Sequence, residues 1–194
     1  VMAMIRQLGI PTLFITLSAA ETKWPELIVI LKKLLDNVDI TEEEATNLPS
    51  QEIARLIQSD APTCARYFDR RFRLLRNTWR PPHGPLGNYV MSDYYYRIEF
   101  QARGSPHVHM MAWLKDAPVY CYDPDNEVDV CSFVDSMISC QSVIPNDPVL
   151  TDLISTRQRH KHTHTCGKKG LRNGVKICRF GIPFFPMAKT RVIH

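Results

Sequence analysis

The sequence lacks the features that mark membrane, secreted and repeat proteins. It contains no run of about 18 apolar residues, the length that a membrane-spanning helix needs, so we expect no such segment. The first residues, from Val1 to Arg6, do not form a signal peptide, and we expect the chain to begin inside a longer protein. No internal repeat or low-complexity tract occurs, which argues against a repeat architecture.

Regular cysteine spacing is also missing. Six cysteines are scattered through a chain too long to depend on a disulfide framework, so we expect free thiols in a reducing compartment. Two of them, Cys166 and Cys178, lie among histidines. We expect the other four to be small buried apolar residues: Cys64, Cys121, Cys131 and Cys140.

Size and composition are those of a globular protein. A chain of 194 residues, 44% hydrophobic and 23% charged, can bury a core as one domain with an appended element. The net charge of +4 agrees with a polyanionic partner, although many ordinary enzymes are equally basic. Charge alone therefore leaves nucleic-acid binding open.

A glutamate and two histidines occupy a predicted β-hairpin. Apolar and aromatic residues run to Phe100, Gly, Ser and Pro follow as turn residues, and a second apolar run ends at Leu114. Alternate strand residues share a face, so His107 and His109 point the same way, and the turn can bring Glu99 opposite them. Two imidazoles and a carboxylate can hold a divalent metal ion with positions left for substrate oxygens. The alternative is a chance pair of histidines on a strand.

Hydrophobic periodicity predicts the remaining elements. A strand is predicted over Thr12–Leu17. Helices are predicted over Trp24–Leu35, Ser50–Ser59, Pro62–Thr78, Val130–Ser139 and Thr151–Arg159. Thr41 is a predicted N-cap for the acidic residues that follow it. We expect residues 115–148 to be mostly acidic loop. The arginine-rich face of the helix over Pro62–Thr78 either follows phosphates or is a solvated face paired with acidic neighbours.

A second group of candidate ligands lies near the end of the sequence. Within 19 residues the chain supplies His160, His162, His164, Cys166 and Cys178, more than the four donors of a tetrahedral Zn²⁺ site. A histidine-rich basic turn with two thiols is the alternative. Lysines and arginines surround this segment beside three phenylalanines, a combination typical of single-strand binding. The same aromatic residues would equally anchor the segment onto the main domain.

Three segments together resemble the N-terminal replication-initiator domain of Helitron-like transposases, a class of HUH endonuclease. The segments are residues 14–27, residues 94–109 and the cysteine-histidine segment at 160–166 and 178–183, in the family's order. The resemblance implies an α+β fold, with helices packed on a central antiparallel sheet as in HUH and Rep-like proteins, plus a C-terminal Cys/His element. It also implies an HUH endonuclease-like domain over residues 1–150 and a zinc-binding, DNA-contacting segment over residues 151–194.

The resemblance further implies metal-dependent nicking and strand transfer of single-stranded DNA at transposon ends, during rolling-circle transposition. Glu99, His107 and His109 would hold Mg²⁺ or Mn²⁺, and a structural Zn²⁺ would bind to His160, His162, Cys166 and Cys178. The expected DNA contacts are Thr16, Arg103, Lys168, Lys169 and Arg179. A helicase domain in the same full-length protein and a nuclear location are also expected.

The family's nucleophile is a tyrosine in the pattern Tyr-x-x-Lys, and no such pattern occurs in this sequence. We therefore assign no catalytic tyrosine and expect it to lie outside this chain, leaving the HUH-like domain incomplete. One alternative is a non-catalytic DNA-binding module derived from such a domain. Another is an unrelated metal hydrolase that uses the same three ligands.

Overall fold

A computed structural model describes residues 1–100, 104–141, 144–164, 166–167, 171–172 and 175–193. They form two compact units, residues 1–119 and residues 120–194. The functional division expected after residue 150 stays a prediction. None of the described helices is long and apolar enough to cross a membrane.

The first unit combines a helical layer with a three-stranded sheet, which confirms the predicted α+β class. Its elements in chain order are α1 Met2–Leu8, β1 Leu13–Ser18, a 3-10 turn Glu21–Lys23, α2 Pro25–Asp36, α3 Glu42–Thr46, α4 Ser50–Ser59, α5 Ala61–Asn77, β2 Met91–Phe100 and β3 Pro106–Leu114. Every predicted element of this unit is present with ends shifted by three residues or fewer. The sequence interpretation did not include α1.

The helical layer packs around one apolar cluster. Its buried members come from α2, α3, α4 and α5, and they are Leu27, Ile28, Leu31, Ala45, Leu56 and Cys64. The predicted N-cap is confirmed, because Thr41 and Glu44 form a reciprocal capping box. Asp60 likewise accepts from the backbone N–H of Thr63 and so begins α5. Burial of each large aliphatic side chain contributes about 1.5–3 kcal/mol, so this cluster is a main source of stability.

The sheet is antiparallel, with strand order β1-β3-β2 and β3 in the centre. Alternate β3 residues Val108, Met110 and Ala112 are fully buried. Phe72 of α5 contacts Tyr96 with ring centroids 4.9 Å apart, and Tyr96 pairs in register with Met110. The helix α5 therefore lies over this face, and the residues between the buried ones face the other way.

The second unit contains short elements. They are α6 Pro124–Met137, α7 Pro148–Leu153, a π-helical turn Ile154–Gln158, and the two-stranded sheet β4 Leu171–Arg172 and β5 Val175–Lys176. Helix α6 begins six residues before the predicted helix. Pro at a first helical position and acidic residues in a first turn both favour a helix start, so the acidic stretch that we read as loop is a helix start.

All six cysteines are free, as predicted. Their burial is not as predicted, because only Cys64 of the four expected apolar cysteines is buried. Cys121 and Cys140 are exposed, and Cys131 is half-buried. Both exposed residues lie next to the ends of α6, where no apolar cluster of described residues covers them.

Candidate metal centres

The face of the sheet opposite α5 carries the glutamate and both histidines. In the antiparallel register, Glu99 pairs with His107, and Thr16 and Arg97 flank His109 on the two neighbouring strands. His107 and His109 are half-buried, whereas Val108 between them is fully buried. The hairpin therefore places these side chains on one face, as the period-2 pattern predicted.

Two contacts link the group. The Glu99 Oε2 atom lies 3.2 Å from the His109 Nε2 atom, and the His107 and His109 rings have centroids 4.6 Å apart. Ser18 of β1 holds the remaining histidine, since its Oγ lies 2.7 Å from the His107 Nδ1 atom. His107 is thereby anchored through one ring nitrogen, which leaves its Nε2 atom for another partner.

The three donors do not close around one point. Among the described residues, one group of His, Cys, Asp or Glu side chains has donor atoms close enough to share a metal ion, and that group lies in the second unit. Glu99, His107 and His109 do not form such a group. Glu99 is 58% exposed at its side chain, so its surroundings leave room for other side-chain rotamers. The arrangement is an ion-pair geometry with donor chemistry suited to a divalent ion.

Two polar residues lie beside His109 on the neighbouring strands. The hydroxyl of Thr16 and the guanidinium of Arg97 lie on the strands that flank His109, and both residues are exposed. Arg97 forms no ion pair with any residue that the structure describes. Sequence reasoning missed Arg97, although its place two residues before Glu99 puts it on the same face. The expected DNA contact Arg103 lies outside the described residues.

The second centre brings together the four residues that the sequence predicted. One donor atom from each of His160, His162, Cys166 and Cys178 lies within 4.8 Å of all the others, so this group could hold a metal ion. The Cys166 Sγ atom is 3.7 Å from His162 Nδ1, and the Cys178 Sγ atom is 3.5 Å from His160 Nε2. A tetrahedral Zn²⁺ separates its nitrogen and sulfur ligands by about 3.6 Å, so both distances fit.

Backbone hydrogen bonds hold the two thiols. The Thr163 N–H donates to Cys166 Sγ at 3.2 Å, and the Arg179 N–H donates to the Cys166 carbonyl at 2.8 Å. Burial opposes the thiolate of Cys178, but backbone hydrogen bonds from Phe180 and Ile182, the Cys166 thiol and the charge of Arg179 together lower the pKa of Cys178. The deprotonated thiol is the form that binds metal.

The surroundings of this centre are basic and aromatic. The guanidinium of Arg179 lies over the Phe180 ring, 4.4 Å from its centroid, and that ring contacts His160 at 5.8 Å. Phe184 and Phe185 are largely exposed. The expected DNA contacts Lys168 and Lys169 lie outside the described residues.

Comparison with known families agrees with the sequence resemblance. A family model described as the Helitron helicase-like domain at the N-terminus matches residues 1–112, more than half of the chain. The match includes the whole hairpin face up to Ala112 and ends before the cysteine-histidine segment. No curated protein and no solved structure gives a significant match.

Proposed function

Because the chain belongs to the family of Helitron helicase-like N-terminal domains, we propose that it is the single-stranded DNA nicking and strand-transfer domain of a rolling-circle transposase. The observation that carries this proposal is the pairing of Glu99 with His109 beside His107 on an exposed sheet face. We further propose that a helicase in the same protein supplies the single strand, and that the protein acts in the nucleus.

In this proposal Glu99, His107 and His109 hold one Mg²⁺ or Mn²⁺. When bound, such an ion withdraws negative charge from a non-bridging oxygen of the scissile phosphate. In this proposal His107 carries its proton on Nδ1 and donates it to the Ser18 oxygen, 2.7 Å away, so that its Nε2 is the atom that would bind the ion, as partners of metal-bound histidines commonly arrange. Arg97 and Thr16, which flank His109, bind the other phosphate oxygens.

The nucleophile in this proposal is a tyrosine outside this chain, since no Tyr-x-x-Lys pattern occurs in the sequence. Its phenolic oxygen gives up its proton and bonds to phosphorus while the bond from phosphorus to the 3′ oxygen breaks. The 3′ oxygen takes up a proton, which leaves a 5′-phosphotyrosine and a free 3′-hydroxyl. The covalent link conserves the energy of the broken phosphodiester bond, so the strand can be rejoined elsewhere.

The test is nicking of a labelled single-stranded oligonucleotide by the longer protein that contains this chain and the tyrosine. We expect Mn²⁺-dependent nicking with a protein-linked 5′ end, and at least about a 100-fold loss in Glu99→Gln and His109→Asn. His83→Asn is the matched control, because His83 is an exposed histidine in the loop before β2. Equal nicking by all three variants would overturn the proposal. Two free fragments would point to an unrelated metal hydrolase.

A second candidate is a non-catalytic DNA-binding module. Two observations favour it: the sequence lacks the tyrosine pattern, and the Glu99–His109 contact also serves as a plain ion pair. Such a module binds single-stranded DNA without nicking it at any metal concentration, even within the longer protein. The same oligonucleotide assay therefore separates the two candidates.

For the second unit we propose a structural Zn²⁺ held by His160, His162, Cys166 and Cys178. The support is the convergence of two imidazole nitrogens and two thiols, which leaves no position for substrate in a four-coordinate site. Arg179, stacked on Phe180, then lies beside the ion and binds DNA phosphate, together with Lys168 and Lys169.

A further inference from the structure

The first unit contains a groove that none of the three proposed metal ligands of the sheet lines. Its volume is about 850 Å³, and it lies among α2, α5 and the end of β1. Six of its lining residues matter for what it can bind: Ser18, Trp24, Glu26, Tyr67, Arg70 and Arg71. A space of this size accommodates a nucleotide or a comparable small molecule.

The floor of the groove is aromatic. Phe68 and Phe72 are buried in it, and the Trp24 ring stacks on Phe68 with centroids 6.4 Å apart. Tyr67 lies against Trp24 from α5, with centroids 5.7 Å apart. Unpaired bases commonly stack on aromatic side chains at a protein surface.

The rim of the groove is positively charged. Two guanidiniums, Arg70 and Arg71, face one carboxylate, Glu26, among its charged lining residues. Arg71 lies over the Trp24 ring at 5.0 Å, whereas Arg70 is exposed and forms no ion pair with any described residue. This balance favours an anionic occupant, such as a base that carries its phosphate.

The carboxylate of Glu26 lines the groove. Its side chain is 45% exposed, and its only ion-pair contact among the described residues is a long one, 3.8 Å from Glu26 Oε1 to Arg71 Nη1. The carboxylate can therefore accept a further hydrogen bond, and a ligand that donates to it gains affinity. The exocyclic amino group of cytosine is such a donor, and a carboxylate is its usual protein partner. Thymine carries a carbonyl oxygen in the same place and repels the carboxylate.

The groove also reaches the metal face. Ser18 lines it, and the same Ser18 oxygen lies 2.7 Å from His107 Nδ1. A single strand bound at Glu99, His107 and His109 therefore has a neighbouring place for one of its bases. We propose that the groove binds an unpaired, amino-bearing nucleobase of that strand, with Arg70 on its phosphate. This inference rests on the proposed function.

Binding of fluorescein-labelled 15-nucleotide dC and dT strands to the 194-residue protein tests the inference by anisotropy at neutral pH. We expect tighter binding of dC by about fivefold, a preference that Glu26→Gln removes. Arg70→Gln weakens binding of both strands by about fivefold or more. Arg73→Gln is the charge-matched control, because Arg73 pairs with Asp69 at 2.9 Å and does not line the groove.

A second readout locates the base directly. Photocrosslinking of a strand that contains 5-iodocytosine should attach it to peptides with Trp24 or Tyr67. Equal effects of Arg70→Gln and Arg73→Gln, with no crosslink at α2 or α5, would overturn the inference. If Glu99→Gln still abolishes nicking in that case, the proposed function stands and the groove serves another occupant, such as a protein segment. If the protein binds no single strand, both proposals fail.

Discussion

The two candidate metal centres differ in how far the protein arranges the donors by itself. In the second unit, two imidazoles and two thiols already lie within 4.8 Å of one another. On the sheet of the first unit, one carboxylate contacts one imidazole, and a serine holds the second. Nitrogen and sulfur donors in a closed set are typical of structural zinc, whereas nitrogen and oxygen donors on an open face are typical of catalysis.

The two centres also differ in the structure that carries them. The sheet centre is built on two strands whose opposite face is buried under α5, so the backbone that carries its donors is held in place without an ion. The cysteine-histidine centre is built on turns around Thr163 and Gly181. A segment with few apolar contacts gains most of its folding energy from a bound metal ion. We therefore expect one ion to support the fold and the other to serve the reaction.

Loss of zinc should give the largest effect. Cys178→Ser removes one of four ligands, so we expect the affinity for Zn²⁺ to fall about 100-fold or more and the second unit to lose its ordered structure. Zinc content and hydrogen exchange of residues 160–181 measure this. Cys140→Ser, which changes an exposed cysteine outside the site, should leave both unchanged. Full zinc content in Cys178→Ser would contradict the assignment.

Removal of apolar contacts should give the next largest effect, confined to the other unit. Leu31→Ala empties a fully buried position of α2, so we expect the free energy of unfolding to fall by about 2–5 kcal/mol. Urea unfolding in the presence of a chelator measures it. Leu34→Ala on the same helix is the control, because Leu34 is 61% exposed. A loss that depends on the chelator would contradict the metal-independent stability of this unit.

Ser18→Ala should have a moderate effect on metal binding. The substitution removes the 2.7 Å contact that orients His107, and such partners change metal affinity by about 10-fold to 100-fold. Calorimetric titration with Mn²⁺ measures the change. Ser92→Ala is the control, since Ser92 donates to the Trp113 carbonyl away from the histidines. Unchanged affinity in Ser18→Ala would remove Ser18 from the account of the sheet centre.

The pH dependence of the helical layer should show the smallest effect. Hydrogen bonds from Arg55 and Lys32 lower the pKa of Glu52 from its ordinary 4.5 to about 2. A lowered pKa contributes stability above pH 4.5 that is lost as the pH falls towards 2. We expect Glu52→Gln to flatten the pH dependence of the urea midpoint over this range, only slightly because water still reaches Glu52 and Arg55 and screens their pairing. Glu43→Gln, in an exposed residue of α3, should retain the slope.

Local patterns in the sequence predicted much of the first unit. Alternation of polar and apolar residues around Val108 predicted which face carries the histidines. The periodicity of α2 and α5 predicted only part of their buried sides, because Leu34, Leu35 and Leu75, which share the apolar stripes in the sequence, are exposed. The capping box of Thr41 was equally readable, because its partner Glu44 is three residues away. These features depend on neighbours in sequence, which is why they could be predicted.

Features that depend on distant residues could not be predicted. The sequence predicted that Glu99 lies near the histidines, but it did not predict the orientation of the Glu99 carboxylate. That carboxylate contacts His109, while Ser18 contacts His107. The groove needs the packing of α2, α5 and β1, elements separated along the chain. The sequence also did not predict that Cys64 is buried while Cys121 is exposed, because the residues next to each cysteine do not distinguish the two.

The most direct test of the central claim is pulsed electron paramagnetic resonance of Mn²⁺ added to the zinc-loaded protein. The account predicts one bound Mn²⁺ with two imidazole nitrogens in its first coordination sphere, reduced to one in His109→Asn and retained in His83→Asn. Weak or absent binding, or a spectrum that His109→Asn leaves unchanged, would contradict a metal ion at Glu99, His107 and His109.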